Sequence, residues 1–198
     1  MNILILGANG QIARAATELF LERTDARLTL YLRNARRLKI SGHADRLRVV
    51  EGDVMESKKL ETAITSQDVV YANLDGELEQ QARDIVKTMQ RVGIKRLIFI
   101  SSMGIYDEIP GERHGSILDP YRKAASIIEA SELDYTIIRP AWLNNHDEID
   151  YAITQKGEPF KKPSAQVSRK SVADLVVKLA TTPNLEIRHS LGVHRASD

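Results

Sequence analysis

The first thirteen residues place the strongest constraint on the fold, because an apolar strand is followed there almost at once by an amphipathic helix. Residues 3–6 are an unbroken apolar run, typical of a strand buried on both faces of a parallel sheet. Beyond Gly7, apolar residues recur at helical spacing; they are Ile12, Ala15, Ala16, Leu19 and Phe20. The pattern predicts a chain that begins inside a parallel α/β sheet.

The turn between this strand and helix has glycines at positions 7 and 10 and a small residue, Ala13, at the next equivalent position. Gly7 allows a tight turn, Gly10 lets a phosphate approach the backbone, and Ala13 lets the helix pack closely on the sheet. Free N–H groups and the positive end of the helix suit a pyrophosphate. We predict a dinucleotide site here, with an ordinary ligand-free turn as the alternative. The residues assigned to it are Gly7, Ala8, Asn9, Gly10, Gln11 and Ile12.

Composition excludes several other classes of protein. A chain of 198 residues with 42% hydrophobic residues is expected to form one domain with a good core. A net charge of +1, with both signs interspersed, gives no footprint for nucleic acid or an anionic membrane. There is no cysteine and no helical pair of histidines, so we expect no metal site. Without a signal-like or membrane-length apolar segment, we expect a soluble, cytoplasmic protein.

Alternating strand and helix patterns follow along the chain. We expect further strands near residues 28–32, 47–51, 68–72, 97–100, 135–139 and 191–193. We expect helices at about 57–64, 78–92 and 120–131, the last capped by Asp119, and one opening in a capping box at Ser171. Gly93 is a stop signal. This predicts a doubly wound parallel sheet of order 3-2-1-4-5-6 plus an edge strand.

Two parts of the chain are less regular. Residues 142–166 have a weak pattern, in which Ile149, Tyr151 and Ile153 alternate as in a short strand. We assign this stretch to a small substrate-side region of the single domain. The apolar face of the helix at 78–92 packs on the core or in part forms an interface, so a homodimer or a protein partner is left open.

The opening motif, Gly7-Ala8-Asn9-Gly10-Gln11-Ile12-Ala13, resembles the G-x-x-G-x-x-[GA] form of the extended and atypical short-chain dehydrogenase/reductase superfamily. Within it, the motif is similar to the NmrA-like and flavin-reductase-like NAD(P)-binding branch. The resemblance covers most of the chain and implies a Rossmann domain. In such a domain the ligand lies at the carboxyl ends of the strands.

The end of the second strand bears on the choice of cofactor. An acidic residue there would bind the ribose hydroxyls of NAD, whereas this chain has Arg33. An arginine favours the 2′-phosphate through a charge-assisted contact, and Arg36 and Arg37 add to the positive charge. We therefore predict NADP as the cofactor, with NAD possible and a solvated basic loop as the alternative.

The resemblance implies roles for the residues at the other strand ends. Asp53 and Val54 match the turn that binds adenine, through a carboxylate and the next backbone N–H. Ala72, Asn73 and Leu74 match the segment along the ribose and pyrophosphate. Ser102 matches the serine that hydrogen-bonds a substrate carbonyl, next to Ser101, which we assign with Pro140 to the cofactor. Trp142 is a candidate wall of the nicotinamide or substrate pocket, with plain packing as the alternative.

The superfamily's catalytic Tyr-x-x-x-Lys is missing. The comparable stretch has Tyr121 and Lys123, and Ala125 stands where the lysine belongs. Residues two apart point about 200° away from each other on a helix, so they converge only if Tyr121 precedes the helix proper. We keep Ser102, Tyr121 and Lys123 as catalytic candidates. Tyr106 is a further possible acid.

Three functions remain. The first is an NAD(P)H-dependent reductase that transfers hydride to a small acceptor such as a quinone or flavin, which needs positioning more than a strong protein acid. The second is a non-catalytic NADP-binding redox sensor. The third, a sugar-nucleotide epimerase or dehydratase, needs more substrate-binding chain than residues 104–119 and 142–166 provide. We favour the reductase.

Overall fold

An eight-stranded sheet lies at the centre of the computed structural model, which describes residues 1–38, 45–109, 115–159 and 166–197. The strands are β1 (Asn2–Leu6), β2 (Arg27–Leu32), β3 (Leu47–Glu51), β4 (Val69–Ala72), β5 (Arg96–Ile100), β6 (Asp134–Pro140), β7 (Leu143–Asn144), β8 (Ala152–Gln155), β9 (Val167–Ser168) and β10 (His189–His194). The helices are α1 (Gln11–Arg23), α2 (Ser57–Ile64), α3 (Leu78–Val92), α4 (Asp119–Glu129) and α5 (Arg169–Thr181).

The strand order confirms the predicted doubly wound fold. The main sheet runs β3-β2-β1-β4-β5-β6-β10-β8, and its first seven strands are parallel. β10 is the predicted added strand, and β8 extends the sheet further by pairing antiparallel with β10. The order reverses beside β1, so the crevice at the switch point opens at the carboxyl ends of β1 and β4.

Both faces of the sheet are covered, which explains the unbroken apolar run in β1. Ile3 and Ile5 pack in one core with α1 and α5. Leu4 and Leu6 pack in a second core with α2, α3 and α4. Successive side chains of a strand point to opposite faces, so a central strand between two helical layers needs apolar residues at every position.

Two predicted helix starts and one strand are wrong in detail. Asp119 is not the cap of α4: a 3₁₀ turn (Gly115–Leu118) runs into the helix, and Asp119 is its first residue. Helix α5 begins at Arg169, and its cap is Ser168, whose hydroxyl accepts from the Ser171 amide at 2.9 Å. The strand predicted from Ile149 is confined to β8.

The stop signal after α3 is confirmed. Gly93 has a φ of +79° in the left-handed region and closes the helix with its own N–H. Within the described ranges, no helix is long and apolar enough to cross a membrane. No group of three or more acidic and histidine side chains there is arranged to hold a metal ion.

Candidate functional site

Two adjoining cavities lie along the carboxyl ends of the strands. The glycine-turn cavity, of about 270 Å³, is lined by residues that include Gly7, Gly10, Arg33, Asp53, Asn73 and Leu74. The serine cavity, of about 570 Å³, is lined by residues that include Ile12, Ser101, Ser102, Tyr121, Pro140 and Trp142. Asn73 and Leu74 line both, so the two cavities form one crevice across the switch point.

The glycines of the opening turn are required by close approach of the chain after β4. Gly7 has a φ of +75°, and a Cβ there would lie 2.1 Å from the carbonyl oxygen of Asn73. A Cβ on Gly10 would lie 1.9 Å from the Asn73 side-chain nitrogen. The Asn73 amide N–H also donates to the Leu6 carbonyl at 2.9 Å, which fixes this approach.

Three amides of the turn already have partners within the protein. Gly7 and Ala8 both donate to the Tyr31 carbonyl, at 2.9 and 3.3 Å, and Gly10 donates to the Gly7 carbonyl at 2.9 Å. Gly10 is the N-cap of α1, and no side chain of the described residues caps the helix. The N–H groups of the first helical turn are therefore the donors available to an anion.

The remaining turn residues play different parts. Asn9 lines the glycine-turn cavity, and its Oδ1 accepts from the Arg14 guanidinium at 2.6 Å. Ile12 lines the serine cavity. Ala8 is fully buried beneath the turn and Gln11 is exposed, and neither side chain lines either cavity. These two positions lie close to the site only through their backbone.

Two arginines give the far end of the glycine-turn cavity a positive charge. Arg33 and Arg37 both line it, whereas Arg36 between them does not. Neither lining arginine has a carboxylate partner among the described residues. Exposed guanidinium groups without an internal partner are well suited to a phosphate.

The predicted adenine turn lies in the same cavity. Asp53 and Val54 line it, and the Asp53 carboxylate accepts from the Met55 amide at 2.9 Å. Sequence analysis missed the support beneath: the Tyr31 hydroxyl donates to the Asp53 carbonyl at 2.8 Å. Burial, with the nearby charges of Glu56 and Asp53, raises the pKa of Tyr31 to about 12. The hydroxyl therefore remains a donor at neutral pH and holds the turn in place.

At the end of β4, the predicted cofactor residue Ala72 lies beneath the crevice and not in its lining. Ala72 is the last residue of β4, is fully buried, and lines neither cavity. Its neighbours Asn73 and Leu74 are the residues that reach the crevice.

The two serines after β5 differ in the state of their hydroxyls. Ser102 Oγ donates to the Met103 carbonyl at 3.1 Å. Ser101 is 5% exposed, and its Oγ has no hydrogen-bond partner in the part of the chain that the structure describes. A buried hydroxyl without a partner is costly unless a ligand satisfies it. Ser101 also lines the serine cavity, and of the two serines it is the one whose hydroxyl has no internal partner among the described residues.

Tyr121 and Lys123 are not brought together. Tyr121 lines the serine cavity, and burial, with a smaller contribution from Asp75, raises the pKa of its hydroxyl. Lys123 is exposed and its Nζ lies 3.1 Å from the Glu79 carboxylate on α3. Both residues belong to the helix proper, so the one arrangement that would join them does not occur.

Tyr106 and the Arg139 side chain lie behind the crevice. The Tyr106 hydroxyl donates to Glu129 at 2.7 Å and lines neither cavity. Arg139 is fully buried, pairs with the buried Glu108, and donates through Nε to Ser190 at 3.1 Å. The next residue, Pro140, is the one that faces the serine cavity.

The outer wall of the serine cavity contains Trp142 and a residue that sequence analysis missed, Arg169. Trp142 is 64% exposed, so it is a wall of the cavity and not core packing. Arg169 is the first residue of α5. The only sequence signal for Arg169 is the basic pair that it forms with Lys170. A helix start predicted at Ser171 leaves this pair outside the helix, whereas α5 begins at Arg169.

A third depression, of about 910 Å³, lies at the opposite edge of the sheet, near the amino ends of β2 and β3. Charged side chains such as Arg27, Arg48 and Lys58 line it. Ligands of open α/β sheets bind at the carboxyl ends of the strands, so the smaller crevice is the better candidate.

Two solved structures have the same fold as this chain. The chain is 39% identical to a Rossmann-fold NAD(P)-binding family protein from Shigella flexneri, with a TM-score of 0.88 over 99% of this chain and 94% of the other. It is 33% identical to a short-chain dehydrogenase/reductase from Veillonella parvula DSM 2008 crystallised in complex with NADP, with a TM-score of 0.88 over 99% and 95%.

A curated relative has a different description. The chain is 28% identical over 208 residues to a protein of Bacillus subtilis (strain 168) named as the uncharacterized sugar epimerase YhfK, covering 95% of this chain and 92% of that protein. A family model described as NAD(P)H-binding matches residues 7–183, which include both cavities. The chain therefore belongs to this NAD(P)H-binding family, as a Rossmann-fold member of the atypical short-chain dehydrogenase/reductase group.

Proposed function

We propose that the protein is an NADPH-dependent reductase whose acceptor is a small conjugated molecule such as a quinone or flavin. The observation that carries this proposal is the continuous crevice, because it joins a phosphate-binding turn to a separate open cavity with a free serine hydroxyl. A module that only bound the nucleotide would need the serine cavity for the nicotinamide alone, whereas this cavity, at about 570 Å³ against about 270 Å³ for the first, leaves room for an acceptor as well.

The crevice residues fit NADP. Gly7 and Gly10 leave a turn that side chains would fill, and the first turn of α1 offers N–H groups to the pyrophosphate. Arg33 and Arg37 would hold the 2′-phosphate, and Asp53 would accept from the adenine amino group. NADP is therefore preferred over NAD in this proposal.

The serine cavity would hold the nicotinamide and the acceptor. When bound, NADPH supplies the hydride. The protein's part is to position the acceptor: Ser101 donates a hydrogen bond to its carbonyl, and Trp142 covers one face. Burial keeps the pKa of Tyr121 raised, so its phenol stays protonated and serves as a second donor.

The contacts of Lys123 weigh against an epimerase. Removal of a proton from a sugar hydroxyl needs an activated tyrosine, and here the candidate lysine, Lys123, forms an ion pair with Glu79. An assay can distinguish a reductase from an epimerase, because a reductase consumes NADPH whereas an epimerase regenerates its cofactor.

The test is NADPH oxidation by the purified protein with a panel of quinones, flavins, small carbonyl compounds and nucleotide sugars. We expect stoichiometric oxidation with a quinone or flavin, and none with Gly10→Val protein. Cofactor binding without turnover on any acceptor would favour the sensor, and conversion of a nucleotide sugar without net oxidation would favour the epimerase.

A further inference from the structure

We infer that the acceptor of this site is a planar conjugated molecule with an anionic group at its edge, covered by Trp142 and anchored by Arg169. The inference rests on the proposed function and adds the chemical class of the substrate. The outer wall of the serine cavity combines an apolar surface with a cation, Arg169, that has no carboxylate partner among the described residues.

The apolar surface consists of two large side chains that are unusually exposed to solvent. Ile117 and Trp142 are 74% and 64% exposed, the two most exposed large hydrophobic side chains among the described residues. Both line the serine cavity. A flat conjugated ligand would bury this surface and stack on the indole, which favours binding.

Arg169 supplies the charge. Its guanidinium donates to the neutral Asn145 amide oxygen at 2.8 Å, and it has no carboxylate partner in the described ranges. Its neighbours differ: Lys170 pairs with Asp147, and Arg195 pairs with Glu148. A guanidinium that keeps free N–H groups beside an apolar cavity suits a carboxylate or phosphate.

A small separate sheet holds Trp142 and Arg169 at the wall of the serine cavity. β7 and β9 pair in parallel, and the Val167 amide donates to the Trp142 carbonyl at 2.8 Å. Arg169 follows β9 directly and opens α5, whose cap Ser168 is fully buried. Trp142 and Arg169, 27 positions apart in sequence, are thereby held at the same cavity, as a positioned binding site requires.

The test uses the fluorescence of Trp142, the only tryptophan of the chain. Protein saturated with NADP⁺ is titrated with anthraquinone-2-carboxylate and with 2-(hydroxymethyl)anthraquinone, which have the same ring system and differ in charge. FMN and riboflavin form a second pair, which separates a phosphate from a carboxylate. The variant is Arg169→Gln, and the control is Lys170→Gln, which removes the same charge one residue away.

We expect wild-type protein to bind at least one charged ligand about tenfold more tightly than its neutral partner, as one charge-assisted contact provides. Arg169→Gln should abolish that preference and Lys170→Gln should retain it. Equal affinities within both pairs, or equal losses in the two variants, would overturn the inference. Binding is measured without turnover, so charge-selective binding by a protein that never oxidises NADPH would refute the proposed function alone.

Discussion

The two cavities of the crevice are built in different ways. The residues of the glycine-turn cavity lie between positions 7 and 81, at the ends of β1 to β4 and the loops that follow. Those of the serine cavity extend from Ile12 to Arg169. They come from α1, the segment after β4, β5 and the segment after it, α4 and the turn before it, β6, β7 and α5. The first cavity relies on close backbone approach, and the second on exposed side chains.

This difference indicates which amino-acid substitutions each cavity can tolerate. In the glycine-turn cavity, a single added Cβ meets the Asn73 backbone or side chain. In the serine cavity, large side chains such as Ile117 and Trp142 stand in open space. We therefore expect cofactor binding to be sensitive to small steric changes, and acceptor binding to depend on the removal of particular polar groups.

The largest effect is expected for Gly10→Val. A branched side chain would fill the space of the pyrophosphate and collide with the Asn73 amide, so NADPH binding should weaken by about 100-fold or more, about 2.8 kcal/mol. Fluorescence titration of NADPH measures it. The double variant Gly10→Val with Asn73→Ala removes the internal collision and should regain thermal stability without regaining the cofactor. Restored binding in the double variant would mean that Gly10 serves only to admit Asn73.

The next effect is expected for Arg33→Ala. Loss of a charge-assisted contact to the 2′-phosphate should weaken NADPH binding about tenfold or more and leave NADH binding unchanged. Arg36→Ala removes the same charge from the same loop without touching the cavity, and is the matched control. If both variants weaken both cofactors equally, general electrostatic attraction explains the effect and the assignment of Arg33 is wrong.

A smaller effect, confined to the serine cavity, is expected for the two serines. Ser101→Ala removes the free hydroxyl and should lower kcat/KM for the acceptor about tenfold with the NADPH Kd unchanged. Ser102→Ala removes a hydroxyl already bound to the Met103 carbonyl and should lower kcat/KM less. Steady-state kinetics at saturating NADPH compares them. A greater loss for Ser102→Ala would return the role to the residue that the resemblance indicates.

The smallest effect is expected for Lys123→Gln. Lys123 forms an exposed ion pair with Glu79, so kcat should change less than about twofold and the melting temperature should hardly change. Burial raises the pKa of Tyr121, so its phenol is fully protonated below pH 9 and kcat should be flat between pH 6 and 9 in both proteins. A lysine that lowered this pKa would produce an alkaline limb in that range, and the variant would move it upward.

Much of the glycine-turn cavity was predictable because its signals are local. The run at residues 3–6, Gly7 and Gly10 are adjacent in sequence, and the strand order follows from the alternation of elements. The strand ends at Arg33, Asp53 and Asn73 then converge by the geometry of a parallel sheet, whatever their side chains are.

The helix caps and the serine cavity were less predictable because they depend on neighbours distant in sequence. A serine three residues before Ser171 caps α5, since β9 delivers Ser168 to that position. No sequence pattern distinguishes Ser101 from Ser102. Only their surroundings leave the Ser101 hydroxyl without a partner among the described residues, whereas the Ser102 hydroxyl donates to the Met103 carbonyl.

The sequence by itself determined the sheet, the glycine turn after its first strand and the missing partner of Tyr121, because each follows from spacing along one strand or helix. The tertiary structure decided which side chains share the serine cavity. Trp142 and Arg169 line the same cavity because β7 and β9 pair residues 24 positions apart, such as Leu143 and Val167, and no local pattern encodes such a pairing. Backbone periodicity is a local property, whereas the composition of a cavity is set by packing between distant segments.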